Sequence, residues 1–398
     1  MLTNQCETSI LTLWTDDDDD QGGKRDEELI LPINSSLSGT LSQDQLHART
    51  SVMARADFAS DAIWLNGKQE SIENPRLQNC LREIRKLAAA KQTHQQGAPL
   101  PTDKVHICSV NNFPTAAGLA SSAAGYACLV YALAQLYKVG DSLAEVTKLA
   151  RVGSGSACRS IYGGWVRWVM GEAADGSDSI AEQVVDEHHW PEIEVLILVV
   201  SDHKKTTSST AGMQTTVETS SLVKHRADKV VPQRMEDIQN AIRARDFETF
   251  GRITMQDSNQ FHAVCLDTYP PITYLNDVSR GIIDMLTKYN AHKGKIQAAY
   301  TFDAGPNAVI YLPRENVNEV VNLVRHFFPP AVGAEAAFVR GFRDVPAAPV
   351  DAATLQAINR SVFADSLKYV MHTRVGSGPQ VLSNDADCLL DASGNPRL

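Results

Sequence analysis

The stretch that decides the fold reads Asn111-Asn112-Phe113-Pro114-Thr115-Ala116-Ala117-Gly118-Leu119-Ala120-Ser121-Ser122-Ala123-Ala124-Gly125. The mostly apolar residues 105–110 before it predict a strand, and apolar residues at helical spacing in 126–137 predict a helix after it. A turn of small residues lets backbone N–H groups approach an anion, and the first N–H groups of a helix have no partner inside it. The hydroxyls of Ser121 and Ser122 add donors or metal ligands. We interpret the stretch as a phosphate-binding loop; the alternative is a small-residue turn with a serine cap.

The loop is not a Walker motif, which requires Gly-Lys followed by Ser or Thr. A different residue follows the lysine in Gly23-Lys24-Arg25, Gly67-Lys68-Gln69 and Gly294-Lys295-Ile296. The order Pro-x-x-x-Gly-Leu-x-Ser-Ser-Ala resembles instead the phosphate loop of the galactokinase, homoserine kinase, mevalonate kinase and phosphomevalonate kinase superfamily. Within that superfamily, the longer string 112–125 resembles the mevalonate diphosphate decarboxylase family.

The resemblance implies a fold and an enzyme activity. The fold would be α+β in two domains, a ribosomal-protein-S5-like N-terminal domain and a ferredoxin-like C-terminal α/β sandwich, with the active site in the cleft between them. The activity would be ATP-dependent decarboxylation of mevalonate 5-diphosphate to isopentenyl diphosphate, ADP, phosphate and carbon dioxide, a step of isoprenoid and sterol biosynthesis. ATP, Mg²⁺ and a homodimer belong to the same expectation.

For ATP, the resemblance implies binding by the loop and by the start of the helix after it. The residues assigned to ATP and phosphate binding are Pro114, Ala116, Ala117, Gly118, Leu119, Ala120, Ser121 and Ser122. Ser122 is also expected to take part in catalysis and to contact the Mg²⁺ of Mg-ATP.

A second glycine- and serine-rich string, Gly153-Ser154-Gly155-Ser156-Ala157-Cys158-Arg159-Ser160, predicts an anion site. Serine hydroxyls donate to phosphate oxygens, and the planar guanidinium of Arg159 matches a carboxylate or phosphate. The alternative is a flexible loop with a surface arginine. By resemblance, Ser154 and Ser156 contact the substrate diphosphate, and Arg159 is a catalytic residue that holds the carboxylate that leaves.

A third string, Tyr300-Thr301-Phe302-Asp303-Ala304-Gly305-Pro306-Asn307-Ala308, contains Asp303 between two predicted strands. On its own, Asp303 is as consistent with a turn or a helix cap as with catalysis. Next to a phosphate loop and an arginine it becomes a candidate base for a hydroxyl that attacks ATP. The resemblance puts Asp303 against the tertiary 3-hydroxyl of the substrate, and we expect Asp303 and Arg159 to confer specificity for the reaction.

The polar residues upstream are weaker signals. Gly23-Lys24-Arg25-Asp26 alone predicts an exposed charged turn, and by resemblance Lys24 reaches the substrate diphosphate. Asn34-Ser35-Ser36, inside the otherwise apolar stretch 29–41, is typical of a strand that lines a site. By resemblance, Ser209, Thr210 and Met213 belong to a mobile loop near the phosphates.

The N-terminus departs from the resemblance. The family has a buried strand that runs into Lys-Tyr-Trp-Gly-Lys, whereas here Asp20, Gln21 and Gly22 precede Gly23-Lys24. We therefore expect residues 1–22 to be a divergent, disordered segment without that strand, and the aspartates 16–20 to be solvated rather than a metal site. An aspartate in place of a lysine near triphosphate repels it. A catalytically impaired isoform is thus one alternative, and a small-molecule kinase of the same superfamily is another.

Composition limits the classes of function and the cellular location that the chain is expected to have. A formal charge of −10 over 398 residues argues against broad nucleic-acid binding. The purely apolar run 195–200 is too short for a membrane span. Seven cysteines without a Cys-x-x-Cys pair, and a first segment without a basic start, favour the cytosol. We expect an ATP-binding domain over 23–194 and a C-terminal domain over 195–398.

Local patterns predict four further elements. These are a helix over 75–90, a capping box at Ser142–Glu145 that opens a helix, a buried strand at 195–200 and an amphipathic helix over 234–250.

Overall fold

The computed structural model describes residues 3–8, 10–12, 24–26, 28–91, 100–112, 121–201 and 209–397. Within these ranges the strands are β1 Thr3–Thr8, β2 Ile10–Thr12, β3 Lys24–Asp26, β4 Leu31–Pro32, β5 Ser36–Thr40, β6 Ala48–Arg55, β7 Ala62–Leu65, β8 Lys68–Glu70, β9 Lys104–Asn111, β10 Trp165–Trp168, β11 Ala181–Val185, β12 Ile193–Val199, β13 Ala299–Thr301, β14 Ala308–Pro313, β15 Val339–Gly341, β16 Tyr369–Arg374 and β17 Gln380–Val381. The α-helices there are α1 Pro75–Lys91, α2 Ser121–Leu136, α3 Leu143–Gly153, α4 Ser209–Thr219, α5 Ser221–His225, α6 Val231–Ala244, α7 Phe247–Asp267, α8 Asp277–Lys293, α9 Val317–Phe327, α10 Glu335–Phe338 and α11 Ala352–Ile358. Short 3₁₀ helices span Gly155–Ile161, Arg314–Asn316 and Asp385–Asp387, and a π-helical turn spans Arg226–Val230.

The strands form three main sheets and one small one. A six-stranded sheet has the order β17-β1-β6-β9-β7-β8, and a four-stranded sheet has the order β11-β10-β5-β2. The later half of the chain builds a five-stranded sheet, β13-β14-β12-β16-β15, and β3 pairs with β4. Helices and mostly antiparallel sheets are thus combined in two parts, which confirms the α+β prediction. None of the helices in the described ranges has the length and apolar character needed to cross a membrane.

The prediction that the first residues supply no strand is wrong for 3–8 and 10–12. β1 pairs with β6 along its whole length, from Thr3 opposite Met53 to Thr8 opposite Ala48, and β2 pairs with β5. Sheet pairing is made by backbone N–H and C=O groups, so a sequence without the expected side chains can still complete the sheet. The aspartates 16–20 lie outside the described residues.

The helices of the first half follow the predicted patterns. α1 and α2 cover the stretches predicted as helices over 75–90 and 126–137, and β9 covers the strand predicted before the loop. Ser142 caps α3, because its hydroxyl accepts a hydrogen bond from the backbone N–H of Glu145. α2 packs on β1, β6 and β9, and it also contacts the 3₁₀ helix Gly155–Ile161. The start of α2 is thereby fixed beside the second glycine-rich string.

The single helix predicted over 234–250 is wrong, because the chain forms two helices there. α6 ends at Ala244, and its C-cap Arg245 adopts a left-handed conformation with φ 55°. Asp246 then caps α7 by accepting from the Thr249 N–H at 3.1 Å. An aspartate is a strong N-cap, and helical periodicity alone does not reveal a break between two helices with similar buried faces.

The five-stranded sheet joins the two halves of the chain. All seven residues of β12 are buried, which confirms the strand predicted at 195–200. One face of the sheet packs on α8 and α9. On the other face, the Trp165 ring lies 5.3 Å from the Phe250 ring and 5.7 Å from the Tyr311 ring. One hydrophobic cluster therefore continues from the first half of the chain into the second.

Candidate active site

The predicted phosphate loop is only partly within the described residues. β9 ends at Asn111 and α2 begins at Ser121, so a strand and a helix flank the loop as predicted. Pro114, Ala116, Ala117, Gly118, Leu119 and Ala120 lie outside the described residues, as do the side chains of Ser121 and Lys24. Ser122, in the first turn of α2, is half-buried.

A cavity of about 540 Å³ opens beside Ser122. Its walls are largely apolar and include Ile63, Leu77 and Ile107, while Asn111 and Ser122 contribute polar groups. An apolar slot with a few polar groups suits a flat ring, and the adjacent start of α2 suits an anion. Sequence reasoning did not predict this cavity. Its walls come from β7, β9, α1 and α2, which are distant in sequence.

The second glycine-rich string is a buried 3₁₀ helix rather than a flexible loop. Ser154, Ser156 and Arg159 are fully buried, so the alternative of a surface arginine is wrong. A Cβ on Gly153 would lie 2.3 Å from Cδ1 of Tyr126, so only glycine allows α2 to approach this closely. Ser122 lies one turn before Tyr126 on the same face of α2.

The strand β5 holds Arg159. The Arg159 Nε donates to the Ser38 Oγ at 3.1 Å, and a second guanidinium nitrogen donates to the Ser36 Oγ. The guanidinium carbon also lies 5.9 Å from the centre of the Trp168 ring. Ser36 and Ser38 share one face of β5 because successive strand residues point to opposite faces. The sequence predicted a polar strand at Ser36 but missed Ser38, although serines alternating within a buried strand were a usable signal.

Asp303 begins the turn between β13 and β14. Its Oδ1 is buried and has no hydrogen-bond partner among the described residues. The turn is anchored by Asn307, whose Oδ1 accepts from the Val200 N–H at 2.8 Å and the Ser201 N–H at 3.0 Å. The Gly305 N–H donates to the backbone carbonyl of Asp303 at 2.7 Å. The uncovered carboxylate oxygen is available to accept from a ligand.

Some of the predicted residues lie on elements that pack against each other, and others lie on elements elsewhere in the chain. Ser122 lies on α2, which packs on the 3₁₀ helix that Ser154 caps and that contains Ser156 and Arg159. Asp303 lies in the second half, at the start of the turn that leads into β14, and β14 carries the Tyr311 that meets Trp165. Lys24 pairs with Pro32 through its backbone in the β3–β4 ribbon. Ser209 and Thr210 begin α4, and their side chains lie outside the described residues, as does that of Met213.

This architecture is that of the two-domain superfamily of small-molecule kinases named above. Residues 21–181 match the family model of the diphosphomevalonate decarboxylase-like N-terminal domain, and residues 195–382 match that of the mevalonate 5-diphosphate decarboxylase C-terminal domain. The diphosphomevalonate decarboxylases of Danio rerio and Homo sapiens are each 55% identical to the chain; they cover 94% of it, and it covers 92% and 93% of them. The chain therefore belongs to the diphosphomevalonate decarboxylase family.

Solved structures agree with this placement. A crystal structure of mevalonate 5-diphosphate decarboxylase at 2.3 Å resolution is 44% identical, with a TM-score of 0.85 over 99% of both chains. The mevalonate diphosphate decarboxylase from Trypanosoma brucei is 37% identical, with a TM-score of 0.85 over 96% of this chain and 98% of its own. A structure of MDDEF in complex with MVAPP, AMPPCP and magnesium is 28% identical, with a TM-score of 0.73 over 96% and 99%.

Proposed function

We propose that this chain catalyses the ATP-dependent decarboxylation of mevalonate 5-diphosphate to isopentenyl diphosphate, ADP, phosphate and carbon dioxide. The observation that carries the proposal is Asp303, whose buried Oδ1 lacks a partner among the described residues. A buried carboxylate oxygen without a hydrogen-bond partner destabilises the fold. A hydrogen bond from a ligand hydroxyl would offset this cost. Relatives named for this activity, at 55% identity over 94% of the chain, support the same reading.

The first chemical step would make the substrate hydroxyl into a leaving group. A tertiary alcohol leaves poorly, so its oxygen must first take the terminal phosphoryl group of ATP. Asp303 would accept the hydrogen of the 3-hydroxyl and aim its oxygen at phosphorus. Positioning and charge stabilisation account for most of such catalysis.

ATP would bind with its adenine in the cavity beside Ser122 and its phosphates at the loop before α2. The apolar walls around Ile63 and Ile107 fit a nucleobase, and the positive end of the α2 dipole fits phosphate. Ser121 and Ser122 would donate to phosphate oxygens, together with the backbone of the loop from Pro114 to Ala120.

The donor set fits Mg²⁺ held mainly by the nucleotide. No cluster of three or more histidine, cysteine or acidic side chains suited to a metal occurs in the described part of the chain. Mg²⁺ commonly keeps several waters and binds to substrate phosphates with one or two protein ligands, a role open to the Ser122 hydroxyl. When bound, Mg²⁺ supplies positive charge that neutralises the transferring phosphoryl group.

The second step would break the bond between carbon and the carboxylate. Departure of phosphate leaves positive charge on the tertiary carbon, and the electron pair of the breaking carbon–carbon bond forms the double bond. Arg159 would orient the carboxylate, since Ser36 and Ser38 fix its guanidinium in the interior. Arg159 must not bind the carboxylate so tightly that the release of carbon dioxide is slowed.

Ser154, Ser156 and Lys24 would hold the substrate diphosphate. The two serines are fully buried, so their hydroxyls act in a desolvated site where hydrogen bonds to phosphate are strong. Ser209, Thr210 and Met213 would close over the phosphates from the start of α4. We further propose a cytosolic homodimer acting in sterol and cholesterol synthesis, with domains over 23–194 and 195–398.

Two other readings compete with this proposal. A small-molecule kinase of the superfamily would stop at the phosphoester, and an impaired isoform would bind substrate without turnover. Asp20, where the family has lysine, motivates the second reading, and the strand pairing of β1 and β2 with the rest of the fold weakens it. The Arg159 and Asp303 strings favour a decarboxylase over a kinase.

Product analysis tests the proposal. The full chain is incubated with mevalonate 5-diphosphate, ATP and Mg²⁺, and the products are identified by phosphorus NMR and mass spectrometry. We expect isopentenyl diphosphate and free phosphate in equal amounts with ADP. A stable phosphoester with ADP would establish the kinase instead, and a folded chain that binds both substrates without forming ADP would establish the impaired isoform.

A further inference from the structure

Helix α7 holds the residue that precedes Asp303. Phe302 lies just past β13, whose last ladder pair joins Thr301 to Val309. The Phe302 N–H donates instead to the Ser258 Oγ of α7 at 3.0 Å. Ser258 is only 1% exposed, so this bond lies in the interior.

The carbonyl of Phe302 accepts a hydrogen bond from a second side chain of the same helix, that of His262. The His262 ring hydrogen-bonds the Phe302 backbone, and this contact raises the pKa of the ring, as donation by the ring would. Its Nε2 is buried without a partner among the described residues, so Nδ1 is the donor. The ring also meets the Phe302 ring edge-on at 6.3 Å. Serine and histidine one helical turn apart thus hold both polar backbone groups of Phe302.

The histidine is held neutral in a closed aromatic setting. Burial lowers the pKa of His262 to about 4, despite the hydrogen bond to Phe302. Tyr274 meets the His262 ring at 6.5 Å and stacks with Phe261 at 6.3 Å. A neutral ring adds no positive charge beside the residue that precedes Asp303.

Helix α7 is itself fixed next to this point. Asp257, the neighbour of Ser258, is fully buried and accepts from Arg226 at 2.6 and 2.9 Å and from Arg234 at 2.8 Å. These bonds tie α7 to the π-helical turn and to α6. The helix therefore offers Ser258 and His262 to the turn from a rigid position.

We propose that Ser258 and His262 are positioning residues that aim the carboxylate of Asp303 at the substrate hydroxyl by holding both backbone polar groups of Phe302. The inference rests on the proposed function, since it assigns Asp303 the task of activating that hydroxyl. The two residues do not touch the substrate in this account. They set the direction in which the uncovered Oδ1 points.

The test measures steady-state and single-turnover kinetics of the full chain and of variants at the two positions. His262→Phe keeps a ring but loses the donor, and Ser258→Ala loses the acceptor for the Phe302 N–H. We expect kcat and the single-turnover rate of ADP formation to fall by about 10- to 100-fold, the scale of a misplaced catalytic group. KM for ATP and for mevalonate 5-diphosphate should stay within a few fold of wild type.

A rescue variant and a matched control separate positioning from folding. His262→Asn retains an N–H close to the place of Nδ1, so it should recover most of the lost kcat. Thr254→Val removes a buried hydroxyl one turn earlier on α7, which donates only to the Phe250 carbonyl of its own helix at 2.8 Å, and should keep wild-type kcat. Circular dichroism and substrate binding confirm that each variant is folded.

Wild-type kcat in His262→Phe and Ser258→Ala would overturn the inference while leaving the decarboxylase intact. A kcat loss in His262→Phe that Asn does not recover, or equal losses in Thr254→Val, would also overturn it. If the wild-type chain itself forms neither ADP nor isopentenyl diphosphate, the proposed function fails instead.

Discussion

Glu194 is a buried acid that three basic side chains keep ionised. It is fully buried at the start of β12, and its oxygens accept from His372 Nε2 at 2.7 Å, Arg343 at 2.7 Å and Arg314 at 2.8 Å. Burial alone would raise its pKa, but the hydrogen bonds from these groups outweigh burial and lower the pKa from 4.5 to about 2. The cluster ties β12 to β16 and to the segments that carry Arg314 and Arg343.

Glu194→Gln should lower the free energy of unfolding by about 3 kcal/mol at neutral pH, since one pKa unit corresponds to about 1.4 kcal/mol. The folded-state pKa is depressed, so this stabilisation is present above pH 4.5 and is lost as pH falls toward about 2. The measurement is urea unfolding of both proteins from neutral pH down to about pH 3. Glu192→Gln, at an exposed neighbour, is the control. A difference that does not narrow in acid would contradict the role of this carboxylate.

Asp20 stands where the family has a lysine, and a prediction about ATP binding follows from that exchange. Near a triphosphate, aspartate in place of lysine repels rather than attracts, so Asp20→Lys should tighten ATP binding by at least about tenfold. Asp18→Lys, at an aspartate farther from Gly23-Lys24, is the charge-matched control. Both are measured by equilibrium binding of ATP. Equal affinities in the two variants would place Asp20 away from the phosphates.

The sequence predicted the residues that form contiguous strings and missed those assembled from distant parts of the chain. Ser154, Ser156, Arg159 and Asp303 stand in strings that match a family, so the order of residues along the chain was enough to propose them. Ser258 and His262 act on Phe302, which is 40 or more positions away along the chain. Nothing local to α7 signals that contact, and an amphipathic helix accounts for both residues equally well.

At the scale of elements, β1 shows that backbone pairing can fill a place that side chains do not specify. The sequence around it lacks the expected motif, yet all six residues of β1 pair with β6. In the helical region, a predicted continuous element is interrupted. Periodicity over 234–250 predicted a single helix, but Arg245 caps the end of α6 and Asp246 caps the start of α7. Local capping chemistry decided that boundary.

Removing residues 1–12 should expose the edge of β6 and lower the midpoint of thermal unfolding by about 5 °C or more. The measurement combines calorimetry with hydrogen exchange. The β6 amides that face β1 should exchange faster, while those that face β9 keep their protection. Replacing residues 3–8 with another β-forming hexapeptide is the control, because it should restore the ladder. Unchanged exchange in β6 after the deletion would contradict the pairing.

At the scale of the whole molecule, the two predicted halves share one core. Trp165 and Trp190 from the first half pack with Phe250 from the second, at 5.3 and 5.7 Å between rings. The cluster continues through Tyr311 to β12. The two halves of the chain are therefore held together by apolar packing that does not depend on bound substrate.

Trp165→Ala should lower the free energy of unfolding by about 3–5 kcal/mol, the usual cost of emptying a large buried aromatic site. Because the core is shared, the wild-type chain should unfold in one calorimetric transition, and the variant should begin to show two. Trp64→Ala, in a separate cluster on β7, is the control and should keep one transition. Two transitions already in the wild-type chain would contradict a shared core.

In the proposed reaction, Asp303 activates a substrate hydroxyl for an ATP-dependent decarboxylation. The most direct measurement is release of labelled carbon dioxide from carboxyl-labelled mevalonate 5-diphosphate by the full chain and by Asp303→Asn, with ATP affinity measured beside it. We expect ATP-dependent release by the wild-type chain, one carbon dioxide per ADP. We expect none from Asp303→Asn, whose ATP affinity should stay within a few fold of wild type. Normal release by Asp303→Asn would contradict the role of this carboxylate.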